Sequence, residues 1–207
     1  MKLPKQPRVS KSGELIFVQK KGSNDIVNAA SFGDELFGFI HATGLNAENN
    51  ASELLDTLGV SYRVLIKKRF YNEAREHLLK QLSGVLVKAG SRLASDIPSD
   101  VALVTLAWRV MWMRWSPYFT LFVFRNKNLE KLTPDAHNGT HVPLVDVTHC
   151  VVVTTNVLER TSETIIRKNL EQILTSNYSE EVLESILNEI TGGTNEQSFG
   201  LGVIKLL

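Results

Sequence analysis

The sequence predicts an α+β fold of the ferredoxin-like (split βαβ) type, an antiparallel sheet with expanded helical crossovers and an irregular N-terminal appendage. The predicted elements over residues 60–207 run strand, helix pair, strand, strand, helix pair, strand. A hydrophobic content of 43% over 207 residues is ample for a packed core. We therefore expect a basic flexible arm at 1–13, a strand, loop and short-helix appendage at 14–59, and a ferredoxin-like domain at 60–207.

The N-terminal third carries few regular patterns. Residues 1–13 contain two prolines and an excess of basic side chains, which is typical of an arm that orders on a partner. Residues 15–18 form a short apolar run that predicts a strand. Glycines interrupt the apolar pattern between residues 19 and 49, so no structure is predicted there. Residues 50–58 predict a short helix, with Gly59 just past its end.

The next segment predicts a strand followed by two helices. Residues 60–66 alternate in the manner of a strand. Apolar residues then recur at helical spacing from Phe70 to Leu86, which predicts the first helix. Residues 101–115 are apolar almost all round and follow Asp100, a good capping residue. They predict a second helix that is buried between layers.

The C-terminal half alternates between strands and helices. Residues 118–124 are rich in aromatic residues and predict a strand, and residues 126–139 are polar enough for the loop of a long hairpin. Residues 142–155 predict the longest strand. Helical spacing returns at 165–174 and 179–190, and residues 199–207 predict the final strand.

Composition excludes several classes of protein. The longest nearly uncharged apolar run, residues 101–113, is shorter than the roughly 18 residues that a membrane span needs. No apolar segment follows the basic N-terminus, so we expect no secretory signal and a cytoplasmic protein. Cys150 is the only cysteine, which excludes an internal disulfide and a zinc site built from cysteines. The net charge is +1, but basic residues concentrate early and acidic residues late.

No catalytic or metal site follows from the motifs. Asp135, His137 and His141 lie close together, but no second ligand cluster completes a metal site. Neither a phosphate-binding loop nor a dinucleotide fingerprint is present. His41 and His77 remain possible general acid–base residues without a recognisable partner nearby in sequence. We therefore predict no catalytic residue, no metal and no cofactor.

The group Asp146, His149 and Cys150 resembles a nucleophile with its base. Side chains alternate along a strand, so Asp146 and Cys150 would share one face and His149 would lie on the other. A catalytic triad cannot assemble within such a strand. Cys150, among valines, is expected to be a small buried side chain.

Aromatic residues offer two candidate surfaces. Trp108, Trp112 and Trp115 would share one face of the helix predicted for residues 101–115, where they could form core or stack on bases. The strand at 118–124 carries aromatic residues on both faces, so it does not reveal which face is open.

The C-terminal loop carries a family resemblance. Gly192-Gly193 followed by Ser198-Phe-Gly-Leu-Gly202 resembles the glycine-rich loop of the CRISPR-associated RAMP superfamily. This resemblance implies a non-catalytic RNA-binding subunit of a multi-protein ribonucleoprotein complex in antiviral defence. The loop amides and basic side chains would then contact the RNA backbone. The implied RNA-binding residues are Lys67, Lys68, Arg69, Arg109, Arg114, Arg125, Lys127, Gly192, Gly193, Gly200 and Gly202.

Two other functions remain open. The basic arm and the unassigned segment also suit an adaptor or assembly subunit of a secretion system or viral particle, which would act through contacts with other proteins. A metal-independent nuclease that uses His41 or His77 is a third class.

Overall fold

A computed structural model describes residues 12–66, 73–93, 100–107, 109–134, 139–176, 178–192 and 196–207. Within these ranges the chain forms ten strands and five helices. The strands are β1 Gly13–Lys20, β2 Asp25–Phe32, β3 Leu36–Thr43, β4 Asp100–Ala107, β5 Val110–Trp115, β6 Phe119–Arg125, β7 Asn128–Lys131, β8 Gly139–Pro143, β9 Val147–Thr154 and β10 Phe199–Leu206. The helices are α1 Ala47–Ile66, α2 Glu73–Leu93, α3 Thr155–Arg160, α4 Glu163–Leu174 and α5 Glu180–Thr191.

The strands form two five-stranded antiparallel sheets. The first sheet has the order β1-β10-β9-β6-β7 and the second has the order β2-β3-β4-β5-β8. The strands β1, β2 and β3 are therefore distributed over both sheets, because β1 pairs with β10 and β3 pairs with β4.

Three apolar layers hold the molecule together. The middle layer lies between the two sheets and includes Phe39 and Leu121. A second layer joins the first sheet to α3, α4 and α5, and a third joins the second sheet to α1 and α2. The order of layers is therefore helices, sheet, sheet, helices. None of the described helices is long and apolar enough to cross a membrane.

The predicted ferredoxin-like fold is wrong. That prediction depends on one sheet with helices on one face, whereas the structure has two stacked sheets with helices on both outer faces. The predicted strands at 15–18, 118–124 and 199–207 agree with β1, β6 and β10. The predicted helices at 165–174 and 179–190 agree with α4 and α5.

Two segments take the opposite secondary structure to the predicted one. Residues 101–107 and 110–115 form the β4–β5 hairpin instead of a helix. The strand β4 is covered on both faces, and such strands are apolar without alternation. Residues 60–66 continue α1 instead of forming a strand. Gly59 lies inside α1, where its missing side chain leaves room for the ring of Phe32, since a Cβ atom would be only 2.7 Å from Cε1. The predicted long strand 142–155 is divided into β8 and β9 by a turn at Asp146, where φ is 58°.

The hairpin also separates the tryptophans. Trp115 lies in the layer between the sheets, whereas Trp112 packs toward the α1–α2 layer. Trp108 lies outside the described residues. Both faces of β6 are likewise covered, with Phe119 in the middle layer and Phe122 beneath the helices. Neither β5 nor β6 therefore presents an open surface of aromatic side chains.

The close approach of the two sheets depends on glycine in β10. Gly202 faces the ring of Phe39 on the opposite sheet, and a Cβ atom at this position would collide with that ring. Phe39 also meets the ring of Phe17 edge-on, with 6.0 Å between the ring centroids. The absence of a side chain at residue 202 therefore sets the local distance between the sheets.

We expect Gly202→Ala to lower the free energy of unfolding by about 1–3 kcal/mol, because overpacking a filled core forces neighbouring groups to move. Gly84→Ala is the matched control, since Gly84 lies in α2 with open space around it. That control is expected to be neutral or to stabilise by roughly 0.5–1 kcal/mol. Urea denaturation measures both variants, and equal stability of the two would contradict this account of the sheet packing.

Candidate functional site

A polar cleft of about 540 Å³ lies where one end of the two sheets meets α3. The second sheet contributes Asp25 at the start of β2, His41 near the end of β3 and Asp100 at the start of β4. The first sheet and its connections contribute Pro117, Tyr118, Thr155, Asn156, Glu159 and Gln197. The cleft thus gathers residues that are far apart in the sequence.

Asp25 connects the two sheets at this end. Its carboxylate accepts hydrogen bonds from the backbone N–H of Ser198 at 2.9 Å to each oxygen and from Ser198 Oγ at 2.9 Å. Ser198 immediately precedes β10, whereas Asp25 begins β2 in the other sheet. A buried backbone N–H group needs a partner, and Asp25 supplies it.

The imidazole of His41 lies between two carboxylates. Its Nε2 is 3.3 Å from Asp25 Oδ2, and its Nδ1 is 3.4 Å from Asp100 Oδ2. A neutral imidazole can donate to only one of them, whereas a doubly protonated ring donates to both. The ring of Tyr118 stacks on that of His41, with centroids 3.7 Å apart and planes 6° apart.

Tyr118 and Asn156 form the inner wall of the cleft. Burial raises the pKa of Tyr118 to about 12, with Asp25 and Asp100 adding to the effect. The phenol therefore stays protonated and donates to the carbonyl of Ser198 at 3.3 Å. Asn156 Nδ2 donates to the same carbonyl at 2.8 Å, whereas its buried Oδ1 has no hydrogen-bond partner within the described part of the chain.

The charge of the cleft lining is negative. Asp25, Asp100 and Glu159 contribute three carboxylates, and His41 can contribute one positive charge at most. Arg160 follows Glu159 directly, but its guanidinium lies over the ring of Phe199 at 5.6 Å. The described lining of the cleft therefore carries a net charge of −2 or −3, depending on the protonation of His41.

The residues predicted to bind RNA do not gather in this cleft. Gly200 and Gly202 lie within β10, and their positions are filled by side chains of the opposite sheet, so their backbone is closed to a ligand. Arg109 and Lys127 lie in separate turns, Arg114 lies in β5, and Arg125 donates to the carbonyl of Pro143 at 3.2 Å. Gly192 ends α5 with φ of 60°. Lys67, Lys68, Arg69 and Gly193 lie outside the described residues.

The other histidines serve local contacts. His77 meets the side-chain amide of Gln81 one helical turn away, at 2.9 Å. The ring of His141 packs against that of Trp112, with centroids 4.8 Å apart. Asp135 and His137 lie outside the described residues.

His149 and Cys150 are both buried in β9 but face different layers. Cys150 lies between the sheets, and burial raises the pKa of its thiol to about 12. His149 points toward the helical side, where it meets the rings of Phe124 and Tyr178. Burial, with a smaller effect of Lys205, lowers the pKa of His149 to about 4.

Comparison with solved structures identifies the fold as that of the PP2C-type serine/threonine phosphatases. The phosphatase Stp1 from Staphylococcus aureus aligns with a TM-score of 0.72 at 7% identity, over 98% of each chain. The catalytic domain of the phosphatase PstP, in complex with two manganese ions, aligns with a TM-score of 0.67 at 11% identity, over 96% of this chain and 100% of that chain. PppA, a regulatory component of the type VI secretion system in Pseudomonas aeruginosa, aligns with a TM-score of 0.67 at 10% identity, over 95% of this chain and 100% of that chain.

At these identities the comparison defines the fold and leaves the activity open. No protein-family model and no curated protein sequence matches the chain. The predicted resemblance to the CRISPR-associated RAMP superfamily is wrong, because the fold is that of serine/threonine phosphatases such as PstP and Stp1. Of the glycines that suggested that resemblance, Gly200 and Gly202 serve the packing of the two sheets and Gly192 ends α5, whereas Gly193 lies outside the described residues. The predicted RNA partner and RNA-binding function are wrong for the same reason.

The manganese ions of PstP raise the question whether this cleft fits such a metal. Mn²⁺ prefers an octahedral set of oxygen ligands, mainly carboxylates, carbonyls and water. Here Asp25 already accepts from Ser198, and the ring of His41 stands between Asp25 and Asp100. Over the residues that the structure describes, no group of three or more His, Cys, Asp or Glu side chains is arranged to hold a metal ion. The site does not fit a manganese centre.

Among the central cleft residues, His41 is the one that the sequence indicates as a possible general acid–base residue, and the sequence does not place His41 in a cleft. Asp100 was interpreted as the cap of a helix, and Asp25 fell in the unassigned segment. A usable signal was present at Asp25, because an acidic residue that directly follows Gly22-Ser23-Asn24 and precedes an apolar run lies where a turn enters a strand. The pairing of Asp25 with Ser198, 173 residues away, leaves no local pattern.

We expect Asp25→Ala to lower the free energy of unfolding by about 1–3 kcal/mol, because it leaves the N–H of Ser198 without its acceptor. Only 14% of the Asp25 side chain is exposed. Glu48→Ala serves as the control, since it removes a carboxylate from an exposed pair with Lys21. That pair is worth at most about 1 kcal/mol. Chemical denaturation gives both values, and the account of Asp25 fails if the two variants lose the same stability.

His149 should make the protein less stable in mild acid. In the unfolded chain His149 takes up a proton as the pH falls through about 6.5, while in the folded protein it stays neutral down to about pH 4. The free energy of unfolding should therefore decrease between pH 6.5 and 4. His149→Phe should show a shallower decrease over that window in thermal unfolding. Identical pH slopes in the two proteins would contradict the assignment.

Proposed function

We propose that this chain is a ligand-binding domain built on the PP2C-type phosphatase fold, and that its cleft recognises a ligand without metal-dependent dephosphorylation. The position of His41 between the carboxylates of Asp25 and Asp100 carries this proposal. An imidazole in that position occupies the space between the two acidic side chains, so these two carboxylates cannot hold one divalent cation together while His41 lies between them.

Two further features support the proposal. The carboxylate of Asp25 is committed to structure, since it holds the start of β10 through Ser198. Thr155, Asn156 and Gln197 carry neutral side chains, which bind a divalent cation more weakly than carboxylates do, and among the other described lining residues Glu159 adds one exposed carboxylate. The cleft therefore has polar side chains that can bind a ligand, but its carboxylates are not arranged to hold a metal ion.

The rival function is a metal-dependent serine/threonine phosphatase. It is favoured by a fold match that extends over almost the whole chain and by the presence of three carboxylates in one cleft. Under this hypothesis Asp25 and Asp100 would have to leave His41 and turn toward a metal ion. The two functions differ in a measurable way, because only the phosphatase needs Mn²⁺.

We expect the purified chain to hydrolyse neither p-nitrophenyl phosphate nor a phosphoserine peptide above the blank, with or without Mn²⁺. The physical reason is that Asp25 and Asp100 are paired with His41 and Ser198 and therefore do not assemble an octahedral oxygen site. The catalytic domain of PstP, assayed in parallel, is the positive control for the assay. Mn²⁺-stimulated hydrolysis that Asp25→Asn abolishes would establish the rival function.

A further inference from the structure

We propose that the cleft binds a positively charged group, and specifically the guanidinium of an arginine side chain in a peptide. This inference rests on the proposed function, and it names the chemical class of the ligand. The lining carries Asp25, Asp100 and Glu159 against at most one positive charge, on His41. A phosphate group would be repelled by this lining, whereas a cation would be attracted to it.

The hydrogen-bonding capacity of the cleft gives an independent reason. Asn156 lines the cleft with only 9% of its surface exposed, and its Oδ1 has no hydrogen-bond partner among the described residues. Its Nδ2 is already used by the carbonyl of Ser198, which fixes the orientation of the amide. A buried acceptor without a hydrogen-bond partner destabilises the protein, and a ligand that donates a hydrogen bond to it removes this cost. A phosphate dianion has acceptors only, whereas a guanidinium has five N–H donors.

The accessible carboxylates lie where a ligand can reach them. Asp25 is largely buried and bound to Ser198, but the side chain of Asp100 is 32% exposed and Glu159 is exposed at the rim. The cleft volume of about 540 Å³ falls in the range of small-molecule sites and accommodates one long side chain. Asp100 and Glu159 would supply charge to the ligand, and Asn156 would supply an acceptor at the base of the cleft.

Arginine suits this arrangement better than lysine. Its planar guanidinium presents several donors in a fixed fork, which can serve two carboxylates and an amide oxygen at once. An ammonium concentrates its charge at one point. The acceptors here come from three separate side chains, Asp100, Asn156 and Glu159. Because these acceptors lie on separate side chains, the wide guanidinium group of arginine suits them better than the compact ammonium group of lysine.

The test is fluorescence anisotropy with a labelled short peptide of glycine and serine around one central arginine. The same peptide with citrulline is the matched probe, because citrulline keeps the shape and loses the charge. A phosphoserine version tests the opposite charge, and free spermidine tests a cation that no peptide carries. We expect the arginine peptide to bind at least about tenfold more tightly than the citrulline and phosphoserine peptides, and more tightly than spermidine.

Two variants locate the binding. Glu159→Gln should weaken binding of the arginine peptide by about threefold to tenfold, and Asp100→Asn should do the same. Glu159 is exposed, so its variant is expected to fold normally even if the Asp100 variant does not. Glu184→Gln, an exposed residue on α5 that does not line the cleft, is the control and should bind as the parent does.

Equal affinity for the arginine and citrulline peptides would overturn the inference, and so would full affinity in the Glu159→Gln variant. Tighter binding of spermidine would overturn the assignment to a peptide. Tighter binding of the phosphoserine peptide without hydrolysis would overturn the cationic ligand and leave the proposed function in place. Mn²⁺-dependent hydrolysis of that peptide would instead overturn the proposed function.

Discussion

The close contact between the two sheets is the constraint on which the rest of the structure depends. Gly202 lets β10 approach Phe39 of the opposite sheet, and the middle apolar layer fills around that contact. Stacking the sheets brings their strand ends together at one edge of the molecule. The carboxylate of Asp25, at the start of β2, then accepts a hydrogen bond from Ser198, which immediately precedes β10. The cleft is a consequence of this packing, because its residues come from both sheets.

The sequence predicted those elements whose pattern is local. The helices α4 and α5 carry regular apolar spacing, and Ser162 caps α4 by accepting from the N–H of Ile165 at 3.3 Å. The hairpin of β4 and β5 was missed because a strand that is covered on both faces is apolar throughout, as a buried helix is. The β-branched residues of that segment, such as Val101, Val104 and Thr105, were the signal that favoured strands. The predicted fold class was wrong because replacing one predicted helix by a hairpin of two strands changes the number and the order of the strands.

The candidate site was harder to predict than the fold elements. His41 meets Asp25 and Asp100 at separations of 16 and 59 residues, and Asp25 meets Ser198 at a separation of 173. Pairs of residues this far apart in the sequence meet only if the right strands become neighbours, and the predicted order of strands was wrong. The glycine pattern at the C-terminus was interpreted as a contact with phosphate. A glycine allows the close approach of any group, and at Gly202 that group is the ring of Phe39 in the same chain.

A shared fold places side chains at fixed positions, but the chemistry depends on which side chains occupy them. The PstP catalytic domain has this fold and holds two manganese ions. In the present chain an imidazole separates the two inner carboxylates, and the rest of the described lining is neutral apart from Glu159. Asp100 and Glu159 give the lining of the cleft a negative charge, which repels a phosphate group. We therefore propose that the scaffold that holds metal ions in PstP serves, with the residues of this chain, a ligand that brings its own positive charge.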